Sequence, residues 1–540
     1  MVVTVDVAHV TTLSTPLLHP PDVNRATGAA RRAGASPTLN AWAWGLGALV
    51  LLVAAGSRLA YWSLPFDGDG AMFAYMGKLV TEGGRFGVDL VDNKFPTVGL
   101  ITSVFYRAFG DAWAGYVLGQ FALTLLTSAL LARQAARSFG PHARPATFWC
   151  AATLLNLNAA VMGGFQLETL TATFTGLAAC GALAALSPGG DRRDALLCGL
   201  SAGCAALVKP TGLGVMGAFA LAVLVSTARD PGRARRRAAG FIGWCLAGAA
   251  LPLLSAALYL IETDTLRQLP AVAAQISSYA RNSSFSPEDL FRPISVLVLF
   301  ASAMLVRGWV FRRERHRTPS TITPEMVAFV ALWLVVEFAG VLMQRRMYAY
   351  HFLPLALPAS LAFAAIPRRS STAQLAGVLA LPVALSAWGA LDVWRSAAAN
   401  PPTWPAVAAW LDRHTLPGER VWRDVTPGVL IGTDLRPASR VQLTFLFMND
   451  DAAPARFGGM LLDDWERHRP RYVVLPSDVP AHVAHQTAHV FELSRLPARA
   501  EAFARAWGEI DRYVAARYEP VQTIGRETIH RRVDREGLKR

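Results

Sequence analysis

The sequence predicts a polytopic α-helical membrane protein with about 11 transmembrane helices, juxtamembrane helices in its first external loop, and a small α/β domain at the C-terminus. Three observations predict it. Of 540 residues, 53% are hydrophobic and only 17% charged, with a mean hydropathy of +0.31, too apolar for a soluble chain whose surface must be covered by charge. The apolar residues gather in runs of about 20, the length at which a helix crosses hydrocarbon while satisfying its own backbone. From residue 396 onward the charges scatter and the apolar runs shorten.

Taken in order, residues 1–40 carry Pro, Ala and Thr with Arg25, Arg31 and Arg32 but lack the charged start and cleavage site of a signal peptide, and read as a basic cytoplasmic tail. The transmembrane part, 41–395, holds spans near 41–62, 113–134, 145–163, 168–187, 194–209, 211–228, 239–261, 293–310, 325–343, 351–366 and 372–394. The pair broken at Lys209-Pro210 reads as two spans or one re-entrant element, and 351–366 is short for a span. Arg133, Arg137 and Arg144, the five arginines from 229 to 237 and the five from 307 to 317 fall in alternate links. Those links are expected in the cytoplasm. The first external loop (63–111), the link at 163–166, segment 262–292, the turn at 344–346 and the tail 396–540 then lie outside. Orientation also accounts for the net charge of +14, so the expected partner is a lipid bilayer and not nucleic acid. The five cysteines all sit in apolar runs and read as small core residues, neither disulfides nor zinc ligands. In the tail, strand-like runs at Val421-Trp422, Val429-Leu430-Ile431, Tyr472 to Leu475 and Val521-Gln522-Thr523, with a helical pattern over 498–517, complete an extracytoplasmic α/β domain.

The external loop contains LPFDGDGAMFAYMGKLVTEGGRFGVDLVDNKFP, Leu64 to Pro96. Met72, Phe73, Met76, Leu79 and Val80 recur at helical spacing with Lys78 and Glu82 on the other side, the pattern of a helix lying in the interface. A second helix is expected over 97–109, and Gly83-Gly84 and Pro96 punctuate the segment between them. Asp69 stands where an aspartate caps a helix, a role compatible with chemistry. Lys94 is a cation on the face where cations are less common. Two further stretches stand out: GLSAGCAALVKPTGL, Gly199 to Leu213, and RRMYAYHFLPLALP, Arg345 to Pro358.

Together these three stretches resemble the GT-C glycosyltransferases, the superfamily of protein O-mannosyltransferases and aminoarabinose transferases, over about residues 40 to 400. The loop resembles that family's aspartate-led helix, glycine turn, aspartate and Lys-x-Pro. One departure is visible: the family's Asp-Glu pair reads here as Asp69-Gly70. The resemblance implies transfer of a sugar from a polyprenyl phosphate to an acceptor hydroxyl, with inversion at the anomeric carbon. A hydroxyl is a poor nucleophile, so a carboxylate must take its proton; Asp69 is the candidate base and Asp67 the alternative. The departing lipid phosphate needs fixed cations, for which Lys94, Arg345, Arg346 and His351 are candidates. Glu168, Lys209, Tyr75 and Asp92 make up the candidate substrate-binding set. Glu168 also suits the start of its helix, and Lys209 beside a helix break avoids hydrocarbon only by facing a cavity or the surface. No cofactor is expected, although Asp67-Gly68-Asp69 leaves a divalent cation open. The acceptor, whether glycan, lipid or protein, is not identified. Two other classes compete. A transporter or flippase of a lipid-linked saccharide predicts charges along several helix interiors and related halves; no such halves are found, and the clearest charge cluster sits outside the core. A noncatalytic envelope assembly protein would use the tail to bind a partner.

Overall fold

The computed structural model describes residues 68–141, 143–156, 164–187, 189–227, 231–281, 323–345, 348–365, 402–424 and 427–533, with single positions between 45 and 62 and between 384 and 395. The described residues from Leu49 onward belong to one folded unit. The N-terminal tail, the spans expected at 293–310 and 372–394, most of 41–62, and the candidates Asp67 and Arg346 lie outside the described residues.

Helices α1 (Gly68–Thr81) and α2 (Thr97–Phe109) form the loop, followed by α3 (Trp113–Phe139), α4 (Ala143–Leu154), α5 (Leu167–Leu186), α6 (Arg192–Val208), α7 (Gly214–Thr227), α8 (Pro231–Glu262), α9 (Leu269–Arg281), α10 (Pro324–Gln344) and α11 (Ala356–Ala365). Among the described residues four helices are long and apolar enough to cross a membrane: α3, α5, Ala238–Glu262 of α8, and α10. The spans expected near 145–163, 194–209, 211–228 and 351–366 contain the shorter helices α4, α6, α7 and α11. At Lys209-Pro210 the helix stops at Val208, turns once over Pro210–Leu213 and restarts at Gly214, because proline has no N–H for the ladder and its ring blocks the preceding turn.

Helix α5 lies at the centre: 72% of its apolar window is buried, against 39% in α3 and 28% in α8. Glycines let α6 and α8 cross almost backbone to backbone. A methyl on Gly199 would strike the Cys245 carbonyl, and one on Gly248 the Leu196 carbonyl. Between apolar helices in lipid, such close packing replaces the hydrophobic drive that water supplies elsewhere.

The tail opens with α12 (Trp404–His414) and builds one five-stranded sheet of order β2-β1-β3-β5-β4. Strand β1 (Arg420–Arg423) runs parallel to β2 (Arg436–Pro437) and β3 (Tyr472–Pro476), while β5 (Glu527–Arg532) is antiparallel to β3 and to β4 (Tyr518–Ile524). Helices α13 (Pro427–Ile431), α14 (Ala453–His468), α15 (Val479–His489) and α16 (Pro497–Arg517) connect the strands. The strand expected at Val429 to Ile431 is helical. Three consecutive apolar residues carry no period, and every residue of α13 is buried whichever way it points.

Side chains alternate across the sheet. Val421, Tyr472 and Val474 join a core with Met72 and Phe73 of α1, whereas Trp422, Val473 and Leu475 pack with Trp465, Phe503 and Trp507. The tail therefore covers α1, which corrects the expectation of an interfacial helix with Lys78 turned outward. Lys78 is 6% exposed, and its ammonium donates to the Leu430 carbonyl at 2.7 Å and the Thr433 carbonyl at 2.8 Å. A cation at the C-terminal end of α13 meets the helix's free carbonyls and the negative end of its dipole.

Candidate active site

Gly68 adopts a left-handed conformation, φ +52°, at the start of α1, whose first turn carries Asp69. Beyond Thr81 the chain reverses through Gly83, φ +79°, and a turn in which the Asp89 carboxylate accepts from the Arg85 N–H at 2.8 Å. The Val91 N–H then donates to the Arg440 carbonyl of the tail at 2.8 Å. This stitch turns Asp92, Asn93 and Lys94 inward. Lys94 Nζ donates to Asn93 Oδ1 at 2.7 Å and lies 5.9 Å from the centre of the Phe73 ring on α1.

The electrostatics join these segments. Burial pushes the Asp92 carboxyl up to about 6, Lys94 opposes that rise, and Asp69 adds to it. Burial works against the Lys94 ammonium, but Asp92 and Asp69, followed by Tyr279 and Glu168, outweigh it and hold the group above the usual lysine range. Tyr350 also lies in the field of Asp69, Glu168, Tyr279 and Tyr348.

A second constellation adjoins it. Glu168, 5% exposed in the first turn of α5, accepts from Lys209 Nζ at 2.8 Å. The same ammonium donates to Gln344 Oε1 at 2.6 Å, and His351 Nε2 stands 3.9 Å from Glu168 Oε1. The helix break thus aims Lys209 at groups from α5 and α10. The loop is tied to the same place, because Thr97 Oγ1 donates to the Leu207 carbonyl at 2.6 Å. Tyr348, Tyr350 and His351 form an aromatic wall, with the Tyr350 and His351 rings 4.6 Å apart and nearly perpendicular.

Asp69, Lys94, Asp92, Glu168, Lys209 and His351 are therefore brought together. Tyr75 is buried on α1 beside Gln442 of the tail. Arg345 ends α10 in the left-handed conformation, φ +54°, with its side chain exposed, outside this constellation. Among the described residues no group of three or more His, Cys, Asp or Glu side chains is placed to hold a metal. The charges that neighbour Asp69 and Asp92 include an ammonium, Lys94.

Sequence reasoning missed Glu337 and Gln344 on α10, Arg58, and Gln442. Glu337, 4% exposed, accepts from Trp333 Nε1 at 2.9 Å and lies within the field of Lys209; a carboxylate within an apolar run was its visible signal. Arg58, 2% exposed, donates to Asn156 Oδ1 at 2.6 Å and to the Gly164 carbonyl at 3.0 Å. Gln120 grips Gln166 through its N–H and carbonyl at 3.2 and 2.7 Å. These bonds seat the link that leads into Glu168.

The arrangement offers a carboxylate beside an ammonium, buried acids to hold hydroxyls, and an aromatic wall. No protein-family model matches the chain, and no curated protein matches it by sequence. Its structure is similar to the crystal structure of ArnT from Cupriavidus metallidurans bound to undecaprenyl phosphate, with a TM-score of 0.57 at 16% identity, covering 93% of this chain and 99% of that one. The apo structure of ArnT from the same organism gives a TM-score of 0.55 at 16% identity, covering 92% and 98%. This chain and ArnT therefore share one membrane fold over nearly their whole lengths.

Proposed function

We propose that this chain is a glycosyltransferase of the extracytoplasmic membrane face that moves a sugar from a polyprenyl phosphate to an acceptor hydroxyl, with inversion. The observation that carries this reading is the convergence of Asp69 and Lys94, from separate segments of the loop, in one electrostatic cluster with Glu168 and Tyr350. It is supported by the fold shared with ArnT, whose crystal structure holds undecaprenyl phosphate.

In the reaction, Asp69 takes the proton of the acceptor hydroxyl as that oxygen forms its bond to the anomeric carbon. On the opposite face, the bond from that carbon to the phosphate oxygen breaks, and the electron pair leaves with the lipid phosphate. The growing charge is met by Lys94, a fixed cation in a partly dehydrated place where it acts more strongly than in water. Glu168 and Lys209 hold sugar hydroxyls, while Tyr348, Tyr350 and His351 wall the pocket.

The test is sugar transfer from radiolabelled polyprenyl-phosphate donors in membranes. Asp69→Asn is expected to cut the rate by about 10²–10⁴-fold with the fold intact. Lys94→Ala is expected to lower kcat/KM by about 10–10³-fold. Wild-type turnover in Asp69→Asn removes the base and with it this mechanism.

A further inference from the structure

The seam between the first external loop and the tail encloses side-chain atoms left without a hydrogen bond of good geometry. Asp92 Oδ1, Asn93 Nδ2 and both side-chain amide atoms of Gln442 are buried without a hydrogen-bond partner, on residues 3%, 6% and 0% exposed. Asp92 and Gln442 are neighbours, because Val91 and Val441 pair in a parallel bridge and each is the next residue along its segment; Asn93 follows Asp92. The Tyr75 phenol comes within hydrogen-bonding reach of the Gln442 amide but short of good alignment. The Asp92 carboxylate accepts from the Asn93 and Lys94 backbone N–H groups and lies in the field of Lys94 and Asp69, so the seam borders the proposed reacting groups. Two aromatic rings extend it: Tyr279 of α9, in whose field Lys94 lies, and Phe445 of the tail, centroids 6.0 Å apart. Ser278 Oγ donates to Asp450 at 2.7 Å and fastens α9 there.

Buried polar groups without partners are costly to stability, and apolar residues of the same shape would relieve that cost. Their presence beside reacting groups points to a ligand that completes them. That ligand must both donate and accept at closely spaced points, as vicinal hydroxyls do toward a carboxylate and amides. It must also offer flat C–H surface to rings such as Tyr279 and Phe445. An acyl chain satisfies the second demand and not the first.

We propose that this seam binds the acceptor, and that the acceptor is a carbohydrate, with Gln442 of the tail holding hydroxyls next to the one delivered to Asp69. The proposal rests on the transferase reading above. Because the groups are enclosed in this structure, saccharide binding parts the Val91–Val441 contact.

Saturation-transfer NMR on the full-length protein in detergent micelles tests it without any donor. The probes are the methyl glycosides of mannose, galactose, glucose, arabinose and N-acetylglucosamine, a maltotetraose, and a serine-rich decapeptide. Saturation is expected in at least one saccharide and not in the peptide. Gln442→Leu is expected to weaken saccharide binding about tenfold or more while the melting temperature holds or rises. Asn93→Leu serves as the second variant with the same expectation. No transfer to any saccharide, transfer to the peptide alone, or unchanged saccharide affinity in both folded variants overturns the proposal. Binding is read independently of turnover, so an active Asp69→Asn enzyme that still binds saccharide through Gln442 would sink the base assignment and leave the acceptor seam standing.

Discussion

Removing the Lys209 ammonium perturbs the membrane-level part of the site most directly. Its nitrogen lies 2.8 Å from Glu168 Oε1, with the two side chains 22% and 7% exposed. At an effective dielectric near 20, that separation corresponds to about 6 kcal/mol of attraction, much of it consumed by desolvation of the two ions. Lys209→Met keeps the stem's volume but leaves Glu168 buried without its cation, and the expected loss of stability is about 3–5 kcal/mol. Glu168→Gln should cost less, because Lys209 retains Gln344 at 2.6 Å and the field of Glu337. The double variant is expected to lose less than the sum of the singles, with a coupling of about 2 kcal/mol. Reversible unfolding of the purified protein in mixed micelles with increasing dodecyl sulfate measures all four species. Additive single effects, or a Lys209→Met cost below about 1 kcal/mol, would show that the pair is a solvated surface contact and would refute this reasoning.

Two further substitutions probe the loop. Lys78→Met strands the Leu430 and Thr433 carbonyls and is expected to cost about 2–4 kcal/mol, read as a lower melting temperature with earlier tryptic cleavage of the tail; unchanged cleavage would mean that Lys78 does not fasten it. Asp92 has its carboxyl raised from 3.8 to about 6, so the folded state holds the proton more tightly than the unfolded chain. The stability this lends is full below about 4 and is lost as pH climbs through 6, so Asp92→Asn should gain up to about 3 kcal/mol on wild type at pH 7.5 and almost nothing at pH 3.5. A melting-point difference between the two proteins that does not widen with pH would contradict the burial of that carboxyl.

Much of the bundle was legible because hydrocarbon imposes a length and a composition on any helix that crosses it. The runs that became α3, α5, α8 and α10 needed no partner to be recognised. The helices α1 and α2 and the break at Pro210 were legible for similarly local reasons: periodicity, and an imino acid that cannot continue a ladder. What one chain position says nothing about is what arrives from far along the sequence. Lys78 looked like a solvated face until residues 430 and 433 came to cover it. Val429 to Ile431 looked like a strand because burial on every side removes the period that separates helix from sheet. Gln442 carried no signal, since a lone glutamine in a tail is ordinary until Val91 lies against Val441. Glu337 carried a signal, an acid within an apolar run, but a single acid there is weaker than the clustered acids of the loop.

The crossing of α6 and α8 through Gly199 and Gly248 has a genetic corollary. Lys209 caps the end of α6, so the angle at which those two rods touch decides where its charge arrives. A single methyl at either position pries the rods apart and swings the distant ammonium off its mark, with no atom of substrate nearby. Random screens for inactive alleles should therefore return alanine at 199 and 248 alongside changes in the pocket itself, and such alleles should still reach the membrane in normal amounts.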